Sequence, residues 1–359
     1  TKALKEQVRM PGPTLEYREG DSAELVLWNV SQGAPHTVHL HGLDVNQEND
    51  GVPALSFTVD HMDKGYYRMR VHHPGTYLYH CHVISPLHVQ AGMYGLVIVR
   101  PKESAYLTWT GGYRFEREFS FLMSEVDPAW HTADMFAMSH APDSHKNQLP
   151  PYHPQFFLIN GYSAQQEHNG VLDVQAQLNK NSLLRLANVG NLCNRYYFPP
   201  SLKAQVISSD GRPLPDPLTL DTLEIFPGER YQVLLKPTGD DAFVDSIGVQ
   251  YCMLSNGSKA SQRFIKVKAD DYSSVSFAGT TSVSIFPNPT QKFVQVRSDR
   301  EIINSARLYN SAGSLVFECT VAQRSYRMNV EELPQGVYVL ELSLGPKHDR
   351  ITKRILVTD

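Results

Sequence analysis

The sequence predicts an all-β chain of three successive sandwiches. Short segments rich in aromatic and β-branched residues recur from end to end, bounded by Gly, Pro or Asn. The 23 glycines and 23 prolines are scattered between them, as many short strands and turns require. No stretch sustains the apolar spacing of a helix.

The first region carries "SAELVLWNV", "YYRMRV", "TYLYHCHV" and "YGLVIVR", at the close spacing of a sandwich. The polar "RPKESAY" that follows reads as a linker. A second set of strands begins at "FFLING" and continues through "SLLRLANV", "LKAQVISSD", "RYQVLLKP" and "QRFIKVKA". The polar "ADDYSS", residues 269–274, reads as a second linker. From near Ser282 the alternation returns in "FVQVRS", "SARLYNS", "SLVFECTV", "VYVLELSL" and "RILVT", a stretch long enough for one small sandwich. The expected boundaries are 1–103, 104–270 and 271–359.

Composition narrows the function. Hydrophobic residues make up 41% of the 359, enough for ordinary cores. Charged residues are 19% and the net charge is −4, so no basic field draws in nucleic acid and no acidic block forms a tail. No apolar run reaches the length of a bilayer span. The opening "TKALKEQVRM" does not read as a signal peptide, so the expectation is that none existed or that it has been removed. Four cysteines do not make a disulfide-dense scaffold.

The chemistry concentrates in "HTVHLHG" and "YLYHCHVISPLHVQAGMYG". Side chains alternate faces along a strand. His39 and His41 therefore share a face, and His36 has the opposite parity. His80 and His82 share a face, and Cys81 points the other way. This sorts the donors into two sets: Cys81 with His36, and His39, His41, His80 with His82. The loop after Cys81 can fold back to bring His88 and Met93 to the first set. One thiolate, two imidazoles and a distant thioether favour blue copper over zinc, which prefers four good ligands. Four imidazoles without a thiol suit copper, zinc or iron. His80 and His82 are covalent neighbours of Cys81, so an electron on one site has a backbone route to the other. His61, His72 and His73 have no partners at ligand spacing and read as surface or turn residues.

These residues resemble a known family. "PGPTLEYREGD", "HLHG", "NDGVP", "PGTYLYHCH" and "GMYGLVIV" look like the multicopper oxidases and their relatives, the two-domain copper nitrite reductases. "FFLINGYS", "RLANVGN", "SSDGRPL" and "PGERYQVLL" extend the likeness over residues 104–268. The resemblance implies two cupredoxin-like Greek-key sandwiches, with type 1 copper on His36, Cys81, His88 and Met93 and none in the second. It also implies a second copper site on His39, His41, His80 and His82. The large oxidases build a trinuclear cluster from four His-x-His pairs; this chain has two, both in the first domain. In nitrite reductases the positions of His39 and His82 are an aspartate and a small residue, so the chain leans toward the oxidase pattern.

Two-domain relatives commonly form trimers, with the second site at a subunit junction. A neighbouring chain's His131, His140, His145 or His153 is then the expected source of further ligands, with Met123, Met135 and Met138 nearby. In the second domain, Cys193 and Cys252 are either a disulfide or two buried thiols. The last segment, through "SIFPNPT", "ARLYNSAGSLV" and "LPQGVYVLEL", resembles the type A sorting domain of type IX secretion. It implies export across an outer membrane, to the medium or the cell surface, and leaves Cys319 as a core thiol.

The expected function is a secreted copper oxidoreductase. A small-molecule or protein donor gives electrons near His88, and copper at the four histidines reduces dioxygen. The alternatives are a blue-copper electron carrier or copper-binding protein, and a nitrite reductase.

Overall fold

The computed structural model describes residues 10–31, 33–139, 149–165, 170–270, 283–298, 301–310, 314–345 and 349–358. They fall into two compact units that divide between residues 271 and 272. The first unit opens with β1 (Leu15–Arg18), β2 (Ser22–Trp28), β3 (Lys64–Arg70), β4 (Gly75–His80) and β5 (Tyr94–Arg100). β5 lies between β1, to which it is parallel, and β4, to which it is antiparallel, while β2 and β3 form an antiparallel ribbon. Strict alternation in "KGYYRMR" turns Tyr67 and Met69 inward, where they pack with Leu40, Val71, Tyr77, Val97 and Val99.

The segment His36–His41 is less regular than the sequence predicts. It is not a strand but is tied by two isolated bridges, His36 to Val59 and His39 to His80. Side chains occupy the bonds that a ladder would use. The Val38 N–H donates to the Tyr67 hydroxyl at 3.0 Å, and the His82 N–H donates to Thr37 Oγ1 at 2.9 Å. The loop after Cys81 closes into a short helix, Ser85–Gln90, with Pro86 in its first turn. It enters through Ile84 at φ 42, a left-handed conformation costly for a β-branched residue.

The rest of this unit comprises β6 (Arg117–Val126), β7 (Phe156–Ile159), β8 (Val174–Gln177), β9 (Ser182–Asn188), β10 (Cys193–Tyr197), β11 (Gln205–Ser209), β12 (Arg212–Thr219), β13 (Thr222–Ile225), β14 (Arg230–Leu235), β15 (Phe243–Cys252) and β16 (Lys259–Asp270). They form a six-stranded sheet, β12-β11-β14-β9-β6-β7, and a five-stranded one, β13-β10-β15-β16-β8. The core includes Phe121, Leu184, Tyr196, Val249 and Tyr251. A second short helix spans Ala133–Ser139.

A buried ion network ties β4 and β5 to β6 and β9. Arg185, fully buried, pairs with Glu118 and donates from Nη1 to Thr76 Oγ1 at 2.9 Å. Arg100 Nη1 donates to the other Glu118 oxygen at 2.8 Å. Burial pushes the Glu118 carboxyl up, but the guanidiniums of Arg185 and Arg100 outweigh it and hold the group below its ordinary value.

The second unit contains β17 (Val283–Phe286), β18 (Phe293–Ser298), β19 (Ile303–Tyr309), β20 (Leu315–Gln323), β21 (Ser325–Asn329), β22 (Gly336–Leu344) and β23 (Asp349–Val357). Its sheets run β17-β18-β21 and β20-β19-β22-β23, around Val294, Leu308, Leu340 and Ile355. Cys319 is partly buried against that core. Among the described residues no helix is long and apolar enough to cross a membrane.

Replacing Glu118 by Gln leaves the buried Arg185 without a counter-charge. Urea denaturation at neutral pH is expected to show a loss of roughly 3–5 kcal/mol. A group whose folded pKa is depressed stabilises above its unfolded value and ceases to as pH falls through the folded one. The gap between wild type and Glu118→Gln therefore narrows below the usual carboxylate range.

Candidate metal centre

Backbone bonding between two histidines sets the geometry. The His39 N–H donates to the His80 carbonyl at 2.8 Å, and the His80 N–H returns to the His39 carbonyl at 3.1 Å. This pairing brings His39, His41 and His80 to one side, with ring centroids 5.2 to 5.5 Å apart. Cys81 faces the other side, toward His36 and His88.

The first group has one thiol and two imidazoles. Cys81 Sγ lies 3.2 Å from His88 Nδ1 and 3.7 Å from His36 Nδ1. Cys81 and His88 are buried, and His36 is partly so. Hydrogen bonding around His36 fixes its tautomer. Asn29 Nδ2 donates to the carbonyls of Val59 and Ala34, which leaves Oδ1 as the acceptor for the Ser31 hydroxyl at 2.6 Å. The Ser31 oxygen then accepts from His36 Nε2–H at 2.9 Å, and the Nδ1 lone pair faces the thiol. Burial raises the Cys81 pKa, so the thiol keeps its proton until a cation takes the thiolate. A soft thiol between two imidazole nitrogens fits copper and not an oxygen-seeking cation. Met93 lines the same apolar cavity of about 340 Å³ as His36 and Cys81, with Trp28, Tyr79 and Tyr94.

In the second group, potential ligand atoms of His39, His41 and His80 all lie within 4.8 Å of one another. His39 Nδ1–H donates to the Asp50 carbonyl at 2.7 Å, and His80 Nδ1–H donates to the Cys81 carbonyl at 3.0 Å. Both rings thus offer Nε2. The turn at "NDG" makes the first contact possible. Gly51 has φ +76, and a Cβ there would sit 2.1 Å from the Val38 oxygen. His80 Nε2 and His41 Nδ1 are 3.3 Å apart. Burial, then the Arg230 charge and the neighbouring imidazoles, pushes His41 down to about 3. Burial also takes His80 down to about 4, against the bond to the Cys81 carbonyl. Neutral imidazoles keep the lone pairs a metal needs.

His82 adjoins the three, its ring 5.2 Å from His39, the same as that of His80, and 5.9 Å from His80. His88 is only 5% exposed, so the face through which the thiol site opens is at His36 and Met93, not at His88 as the sequence suggests. His61 is exposed and bonds the Ser31 carbonyl, and His73 meets Asp44 at 3.2 Å. His131 and His153 are exposed, while His140 and His145 lie outside the described residues. Cys193 and Cys252 are free and buried.

Sequence reasoning missed Glu125. A cavity of about 200 Å³ lies against His41 and His80 and is lined in part by Gly190 and Asn191. Behind them sits the fully buried Glu125 carboxyl. Its Oε2 accepts from the Asn191 N–H at 2.8 Å and from the Tyr152 hydroxyl at 3.2 Å. A Cβ at residue 190 would lie 2.3 Å from that oxygen, so only Gly fits. Burial pushes Glu125 up to about 7, opposed by the Asn191 and Tyr152 bonds.

Family models described as multicopper oxidase match residues 6–104 and 128–267, and one described as a secretion system C-terminal sorting domain matches 284–358. Copper resistance protein A of Escherichia coli is 26% identical over 267 residues, 64% of this chain and 42% of that protein. The L-ascorbate oxidase of Nicotiana tabacum is 25% identical over 258 residues, 65% of this chain and 42% of its own. The chain thus spans less than half the length of these relatives. Among solved structures, the blue copper oxidase from Nitrosomonas europaea shares the fold, with a TM-score of 0.56 at 24% identity over 72% of this chain and 77% of the other. The copper nitrite reductase of that organism has a TM-score of 0.52 at 18% identity, over 73% of this chain and 84% of the other.

Glu125 provides a test of this environment. A carboxyl whose folded pKa is raised costs stability as pH rises from its unfolded value to its folded one. Between pH 4.5 and about 7 the wild type is therefore expected to lose about 3 kcal/mol that Glu125→Gln does not lose, measured by urea denaturation across that range.

Proposed function

Because the chain belongs to the multicopper oxidase family and carries a secretion sorting domain, we propose that it is an exported copper oxidoreductase that reduces dioxygen. His36, Cys81, His88 and Met93 hold a type 1 copper in this proposal, and His39, His41, His80 and His82 hold the second site. Copper held by these residues would supply one-electron chemistry, with the thiol side open to a reductant and the imidazole side to dioxygen.

The protein's own contribution follows from its residues. Cys81 belongs to both sites: its thiol serves the first, and its carbonyl accepts the His80 Nδ1–H at 3.0 Å. That single residue is the observation carrying the proposal. The cavity beside His36, walled by Trp28, Tyr79 and Tyr94, suits a phenolic reductant, though a cuprous or ferrous donor serves the same chemistry. The smaller cavity at His41 and His80 has room for a diatomic acceptor. Glu125 keeps a proton near neutral pH behind Asn191, close to where reduction of dioxygen consumes protons. A homotrimer in which a neighbouring copy adds ligands, and recognition of the tail by type IX secretion machinery, complete the proposal.

One observation favours a second reading, a blue-copper electron carrier. The converging imidazoles of His39, His41 and His80, like the adjoining His82, come from the first sandwich, and among the described residues the second sandwich adds none to that group. Copper content separates the two: one copper per chain supports a carrier, and two or more with oxygen uptake support an oxidase. In the oxidase, Cys81→Ser is expected to abolish the intense blue absorption. His41→Ala is expected to keep that colour while oxygen uptake falls at least about tenfold. A coloured Cys81→Ser protein would remove the thiol from the site.

A further inference from the structure

Cys193 opens β10 and Cys252 closes β15, and the two are direct partners in the antiparallel register. Directly opposed residues in such a pair have Cα atoms roughly 4.5–5.5 Å apart and point to the same face. That separation lies within the roughly 4.4–6.8 Å that a disulfide bridges. Both thiols are free in the structure.

Their face matters. Tyr196, Val249 and Tyr251 fill the core between the two sheets. Cys193 and Cys252 have the other parity, which they share with Arg195 and its exposed ion pair to Glu224. The cysteines are thus not the small core hydrophobes that two buried thiols usually are. They lie on the outward side of the sheet yet are only 5% and 1% exposed. The sorting domain sends the chain to an oxidising compartment, where such a pair does not stay reduced by default.

We propose that Cys193 and Cys252 form a cross-strand dithiol that closes to a disulfide after export. The two S–H groups lose two protons and two electrons as the S–S bond forms. A small-molecule disulfide takes them up: one thiolate attacks it, releasing one thiol, and the second cysteine displaces the other. Attack needs the thiolate, and burial pushes both thiols upward; at Cys193 the Glu224 charge adds to burial and takes it to about 11. Closure therefore quickens as pH rises.

The full chain, loaded with copper so that Cys81 is engaged, is incubated with oxidised glutathione at mildly alkaline pH. It is then alkylated under denaturing conditions and mapped without reduction. The expected product joins the Cys193 and Cys252 peptides, lighter by two hydrogens than their sum. The thermal midpoint is expected to rise by several degrees over the reduced protein. Cys193→Ser and Cys252→Ser should each abolish the linked peptide and the rise. Alkylation of both residues, a stable glutathione adduct on either, or linkage to Cys81 or Cys319 would overturn the proposal. Mapping of the wild type decides the matter even if a variant fails to fold.

Discussion

The site depends on one pair of backbone hydrogen bonds, those exchanged between His39 and His80. Two residues that exchange both bonds are locked in register, and a slip by one would send every side chain to the opposite face. With this register, His39, His41 and His80 meet on one side and Cys81 meets His36 and His88 on the other. The surrounding contacts protect the arrangement. Gly51 lets the Asp50 carbonyl reach His39, Thr37 takes the His82 N–H, and Tyr67 takes that of Val38. The segment does not need to be a regular strand, because side chains supply the bonds a ladder would have given.

Burial then decides protonation. His41 and His80 stay neutral across the physiological range, and Cys81 stays a thiol. The rings of His36, His39 and His80 give one N–H to a hydroxyl or a carbonyl, which turns the other nitrogen toward the site. The donors are therefore poised before any cation arrives. The same burial raises the Glu125 carboxyl and makes Glu118 depend on Arg185 and Arg100. These five buried or half-buried titratable groups thus share a single cause, each resolved differently by the charges and dipoles nearby.

Much of this was legible in the sequence. Alternation in "KGYYRMR" matches the burial pattern of β3, and the parity of the histidines around Cys81 separates the two donor groups. What was not legible has physical reasons. The helix Ser85–Gln90 is six residues long, too short for a period to register, and it starts from a left-handed Ile84. Glu125 lies in "FLMSEV", where it shares the inward parity of Phe121 and Met123, but a carboxylate at the end of an apolar run carries no local sign of a buried, hydrogen-bonded role. Neighbouring structure covers both faces of that strand end, so Phe121 through Glu125 are all buried. The opposition of Cys193 and Cys252 is a matter of long-range register, which no local pattern carries. The openness of the thiol site at His36 rather than His88 likewise depends on how the end of β2 and the loop after it stand beside the site.

The measurement that tests this account most directly is anomalous diffraction at the copper edge from copper-loaded crystals. Two separate peaks are predicted, one bonded to Cys81 Sγ with His36 and His88, the other to imidazoles of His39, His41 and His80. A single ion bonded by both Cys81 and His80, or no copper among the three imidazoles, would contradict it.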